Sequence, residues 1–215
     1  IVCYISAITP FYEERAVFYR ERAANMYTVG AYSLSIGLVE IPYLIMISLV
    51  FCTVYYLSVG FTLDPVHFFL YYLFIFLWIS MTTFYGQFWV ALMPTRTAAM
   101  AAGSGVIQII NFFGGFIQPV AEIPNHLIFF HWASPLHYVF EGCLTSQFHD
   151  DDTVIKVIEP DVGEVTYTMS EFVHNEFPRF SYDHIDYDIG VIVGYIVFFR
   201  VATFVCLAYV NHLRR

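Results

Sequence analysis

The sequence predicts an all-α membrane protein, a polytopic helical bundle with about four complete spans, an interfacial helix and a large outer loop with short re-entrant helices. Three observations carry that prediction. Apolar residues make up 59% of the 215 positions while charged residues make up only 13%, about half the share of a soluble domain. The mean hydropathy is +0.64, with 23 Phe and 17 Tyr. The apolar positions gather into runs of twenty or so, long enough to cross about 30 Å of hydrocarbon as helices, and too long and too weakly alternating for barrel strands.

In chain order, the apolar start Ile1 to Ile8 is too short to span and lacks signal-peptide anatomy, so it reads as the tail of a helix that begins upstream. The block FYEERAVFYRER, Phe11 to Arg22, then packs three arginines and three glutamates between apolar stretches. Arg15, Phe18, Tyr19 and Arg22 are spaced at three, four and seven, which predicts an amphipathic helix lying in the membrane interface. Four spans follow, at Tyr32 to Leu57, Val66 to Leu92, Ala98 to Gln118 and Ile189 to Val210, the first three separated by short Gly- and Pro-punctuated turns.

The separator before the last span is long, and thirteen of the eighteen acidic residues fall between Glu122 and Asp188. Its first part is apolar and Pro-punctuated, which predicts one or two re-entrant or interfacial helices with Trp132 and Tyr138 at headgroup level. Its second part, from His149, predicts a small exposed acidic cap. With an even number of spans, Arg15, Arg20, Arg22, Arg96, Arg214 and Arg215 share one side, six of the nine Lys and Arg. The positive-inside tendency makes that side cytoplasmic, the C-terminus with it, and places residues 119–188 outside.

The stretch FYEERAVFYRERAANMYTVGAYSLSIGLVEIPYL resembles the segment after the second transmembrane helix of G-subfamily ATP-binding-cassette exporters, most of all the pleiotropic-drug-resistance branch with its VFYRERAAGMY-like motif and following EIPY. FYG at Phe84 to Gly86, GGFIQP at Gly114 to Pro119, and HWASPLHYVFEGCLTSQF, similar to the family's YWANPVAW…GLVVSQF, recur in family order. The resemblance implies that residues 1–215 are an ABC-2 type transmembrane domain without its first helix, the spans here being family helices three to six. The RERAA variant resembles the second membrane domain of full-length members. Residues 11–28 would be the cytoplasmic coupling region against a nucleotide-binding domain, with Glu21, Arg15, Arg20 and Arg22 at that contact.

The resemblance further places Phe11 where an aromatic stacks on flat hydrophobic substrates in the central cavity, with Gln108, Asn111 and Phe112 lining the same cavity. Phe116 and Ile117 align with an apolar plug toward the outer exit. It implies ATP-driven export of hydrophobic or amphipathic small molecules or lipids, a second homologous transmembrane domain as partner, and a plasma-membrane location. ATP and Mg would sit in the nucleotide-binding domain, since this chain carries no GxxxxGK[ST] and is expected to bind no cofactor and no nucleic acid itself.

From the residues alone, two intramembrane charges stand out, because a charge in hydrocarbon costs a few kcal/mol and marks a structural or transport role. Glu40 lies inside the first span, two residues before Pro42, and Arg200 sits mid-way along the last, paired with Glu40 or snorkelling. Gly190 and Gly194 form a GxxxG, and Ala98 to Gly105 is rich in small residues, both predicting close helix packing. His126, His131 and His137 are spaced at five and six, without the i, i+4 face of a helical metal site, and Asp150 to Asp152 lack the EF-hand pattern. The competing functional class is a non-transporting receptor or structural membrane protein whose acidic cap binds a ligand.

Overall fold

The computed structural model describes residues 2–61, 64–115, 123, 124, 126–159, 163–177 and 180–210. Helix α1 runs Val2–Ala23, α2 Val29–Val59, α3 Pro65–Leu92, α4 Arg96–Phe112, α5 Ile128–Trp132, α6 Pro135–Phe148, α7 Met169–Glu176 and α8 Ile185–Tyr209, with strands β1 Val154–Glu159 and β2 Gly163–Thr168 between α6 and α7.

The helix limits follow local chemistry. Thr28 caps α2, accepting from Ala31 N–H at 3.3 Å, and Gly60 ends it in the left-handed region at φ 78. Asp64 caps α3, accepting from Val66 N–H at 2.9 Å, with Pro65 in the first turn, where its missing N–H costs nothing. Thr95 caps α4 in the same way. The span expected to reach Gln118 stops at Phe112, because Phe113 turns back onto Ile110 and Gly115 takes φ 90. At 17 residues α4 is about 25 Å long, short of the hydrocarbon thickness. Among the described residues, three helical segments are long and apolar enough to cross: Val29–Val59, Pro65–Leu92 and Tyr182–Tyr209.

Two further differences concern the ends. The charged block is not a separate interfacial helix. It continues the helix begun at Val2, through Pro10, as one 22-residue α1. The chain is not all-α: β1 and β2 of the cap pair antiparallel, Val154 with Thr168 and Val157 with Val165, and α7 follows with a complete Thr168–Glu171 capping box.

Helix α3 is the most enclosed element, packed by α1, α2, α4, α6 and α8. Its buried Ser80 and Thr82 satisfy their hydroxyls on carbonyls one turn back, at 2.7 Å to Phe76 and 2.9 Å to Trp78. Tyr4 and Tyr85 each donate at 2.6 Å to α4, to the carbonyls of Ala99 and Gly103. A Cβ on Gly103 would run into the Tyr4 hydroxyl, so part of the small-residue stretch of α4 is a close-packing face as expected. The GxxxG of α8 is not: Gly190 and Gly194 face open space. The outer face of α2, from Leu34 through Val59, exposes apolar side chains that suit lipid.

Candidate functional site

The described contacts give the bundle two ends. One gathers the C-termini of α1, α3 and α8 with the N-termini of α2 and α4, and the arginines organise it. Arg15, only 5% exposed, turns inward. Its guanidinium donates to the carbonyls of Val90, Met93 at 2.6 Å and Pro94 at 2.9 Å, the orphan acceptors at the end of α3. Arg22 does the same for α8, donating to Leu207 at 2.8 Å and Ala208 at 3.0 Å, while the Tyr19 hydroxyl reaches Val210 O at 3.1 Å. Both cations lie at the negative end of a helix dipole. Thus the helical spacing of Arg15, Phe18, Tyr19 and Arg22 marks a face docked on other helices.

Of the other expected contact residues, Glu21 accepts from the Tyr27 hydroxyl at 2.6 Å. Desolvation, reinforced by that carboxylate, pushes the Tyr27 phenol up to about 12. Tyr27 and Phe18 stack on Tyr32, the latter with centroids 4.2 Å apart, so the turn between α1 and α2 is held by rings. Arg20, like Glu13 and Glu14, is exposed. Arg96, the first residue of α4, lies at this same end of the bundle. Arg214 and Arg215 lie outside the described residues.

Farther into the bundle, Glu40 and Arg200 come together through a residue the sequence reading passed over. Gln87 of α3, fully buried, donates from Nε2 to Glu40 Oε1 at 3.2 Å and accepts from Arg200 Nη1 at 3.0 Å. The pair is therefore bridged by an amide rather than joined directly, and Arg200 does not snorkel. Its other nitrogen donates to Ser33 O on α2, and its Cζ lies 5.0 Å over the Phe84 ring. Gly37 makes the room: a Cβ there would sit 2.5 Å from Arg200 Nη2. The relay ties α2, α3 and α8 together, and Glu40 also borders a cavity of about 260 Å³ between α1, α2 and α3, with Ser6, Pro10, Tyr43 and Thr83.

The expected substrate-contact residues do not converge. Phe11 is packed in the core at 4% exposure and borders none of the described cavities. Gln108 and Phe112 are exposed on the outer side of α4, while Asn111 is half-buried with its Oδ1 unpaired. Phe116 and Ile117 lie outside the described residues. The rings of His131 and His137 lie tilted against each other with centroids 4.1 Å apart, brought together by the turn between α5 and α6. Among the described residues, no three acidic, histidine or cysteine side chains converge as metal ligands.

Residues 1–148 match the family described as ABC-2 type transporter. The chain belongs to that family. ABC-2 relatives include ABC transporter G family member 35 of Arabidopsis thaliana, 31% identical over 203 residues, which covers 94% of this chain and 14% of that protein. ABC transporter G family member 53 of Oryza sativa subsp. japonica is 38% identical over 137 residues, 64% of this chain and 10% of that protein. Pleiotropic drug resistance protein 1 of Nicotiana tabacum is 31% identical over 202 residues, with shares of 94% and 14%. The chain thus spans about one-seventh of the length of the first and third of these proteins. Membership agrees with an integral membrane protein built of apolar helices.

Proposed function

We propose that this ABC-2 domain is the membrane-spanning part of an ATP-driven exporter of hydrophobic or amphipathic molecules, with its arginine end as the joint that receives motion from a nucleotide-binding domain. The observation that carries the reading is the double clamp of α1. Arg15 holds the end of α3 and Arg22 the end of α8, so displacement of the α1 C-terminus is passed to both helices at once. The exposed Arg20, Glu13 and Glu14 form the outward charged face that a soluble domain would press, and Glu21, tied to Tyr27, stiffens the turn behind it.

No residue set here fits ATP, as the chain lacks the P-loop pattern, so hydrolysis is assigned to a separate domain holding ATP and Mg. The Gln108 and Phe112 side of α4 is assigned to a substrate cavity shared with a second homologous membrane domain, and Glu40, Gln87 and Arg200 to keeping α2, α3 and α8 moving as one body. The arginine end and C-terminus are read as cytoplasmic and the hairpin cap as outside, in the plasma membrane.

The test is nucleotide-dependent movement of an amphipathic dye into inside-out proteoliposomes bearing the full-length protein. Uptake that needs hydrolysable ATP supports export. Hydrolysis or dye binding with no net movement overturns it in favour of a receptor-like role.

A further inference from the structure

At the opposite end of the bundle, α6 packs against α8 and brings Glu141 and Asp188 to the floor of one pocket of about 460 Å³. Both are almost wholly buried, at 3% and 1% exposure. Glu141 is provided for: its Oε1 accepts from Ser181 N–H at 3.1 Å and lies 2.9 Å from His184 Nδ1, and its Oε2 is 3.6 Å from His137 Nε2. Asp188 is not. Its Oδ2 is buried and accepts no hydrogen bond, which is costly for an ionised carboxylate and is relieved by a proton or by a cation brought to it.

The walls and mouth are aromatic. Tyr138 is buried beside the carboxylates, its ring 6.1 Å from that of Tyr187 and its hydroxyl pinned to Trp132 O at 2.9 Å. Trp132 and Tyr187 are exposed at the rim. The described lining contains no Lys or Arg, and its two histidines, His137 and His184, lie against Glu141. A small metal ion is poorly matched, because the space is large and, among the described residues, no three ligating side chains converge. Buried anionic oxygen below and ring faces above are the recognition chemistry of an organic ammonium group.

We infer that the pocket between α6 and α8 binds a small organic ammonium group, either free or on a lipid headgroup, with Asp188 and Glu141 as counter-charges and Tyr138, Tyr187 and Trp132 as its aromatic cage. The site does not depend on export, and its test omits nucleotide. Full-length protein in phosphatidylglycerol nanodiscs is titrated calorimetrically with choline and with its neutral isostere 3,3-dimethylbutan-1-ol. Choline is expected to bind saturably and at least about tenfold more tightly than the isostere, with a loss of about tenfold or more in Asp188→Asn and roughly fivefold in Tyr187→Leu. Tyr187 is exposed, so its variant keeps the fold and carries the test even where Asp188→Asn does not. Repeating the titration in phosphatidylcholine discs separates the sources: a suppressed choline signal assigns the site to the headgroup, an unchanged one to free ammonium compounds. No saturable choline binding in phosphatidylglycerol discs, equal binding of the isostere, or wild-type affinity in Tyr187→Leu would overturn the inference.

Discussion

Replacing Gln87 by leucine removes the amide that joins Glu40 to Arg200 while keeping the side-chain volume nearly constant. Two hydrogen bonds to charged groups are lost, at 3.2 Å and 3.0 Å. Such bonds are worth about 1.5–3 kcal/mol each in soluble proteins, but polar pairs between membrane helices average about 0.6 and reach about 1.7. Arg200 keeps its Ser33 carbonyl and Glu40 keeps access to the cavity beside it, so neither charge is stranded. The expected cost is therefore about 2 kcal/mol. The assay is unfolding of the full-length protein by graded denaturing detergent, run as a double-mutant cycle on Glu40→Gln and Arg200→Met. Coupling between these two residues should be measurable in the parent and fall markedly in the Gln87→Leu background, leaving only the direct charge–charge attraction. A cost under about 0.5 kcal/mol, or coupling undiminished without Gln87, would refute the relay.

Three further outcomes follow from the same contacts. Gly37→Ala should destabilise by about 1–3 kcal/mol through collision with the guanidinium, and most of that cost should disappear in Arg200→Met, as the same detergent titration would register. Arg15→Lys should cost about 1–2 kcal/mol in that titration, since an ammonium cannot bridge three carbonyls on α3 as the planar fork does; an unchanged midpoint would count against the clamp. Phe11→Ala should lower stability by roughly 3 kcal/mol and reduce transport of all substrates alike, whereas selective loss of flat aromatic substrates would return Phe11 to the cavity.

What could be read from the sequence depended on whether a feature is local. The long apolar runs announced α2, α3 and α8, and the Thr, Asp-Pro and Gly signals at their ends are visible in the chain itself. The continuity of α1 was hidden because the charged block reads as a separate interfacial helix; Pro10, inside α1, removes one backbone hydrogen bond without ending the helix. Helical spacing found the face of Arg15 and Arg22 but not its target. A cation aimed at a partner and one capping another helix have the same periodicity, and only the fold brings Val90 or Leu207 beside them. Gln87 was overlooked as one amide after FYG, though an uncharged polar residue within an apolar run was the available signal. Asp188 and Glu141, 47 positions apart, could not be paired before α6 was seen to lie against α8. The hairpin escaped because its Val, Thr and Tyr positions were too few to establish alternation.

The joint at the arginine end is tested most directly by measuring ATP hydrolysis and ATP-dependent dye uptake together in proteoliposomes of the full-length protein, comparing the parent with Arg22→Ala and Glu21→Arg. The clamp predicts that both variants still hydrolyse ATP while uptake falls by about tenfold, since about 1.4 kcal/mol of lost coupling is enough for that ratio. Uptake that stays at the parental level in both variants would contradict it.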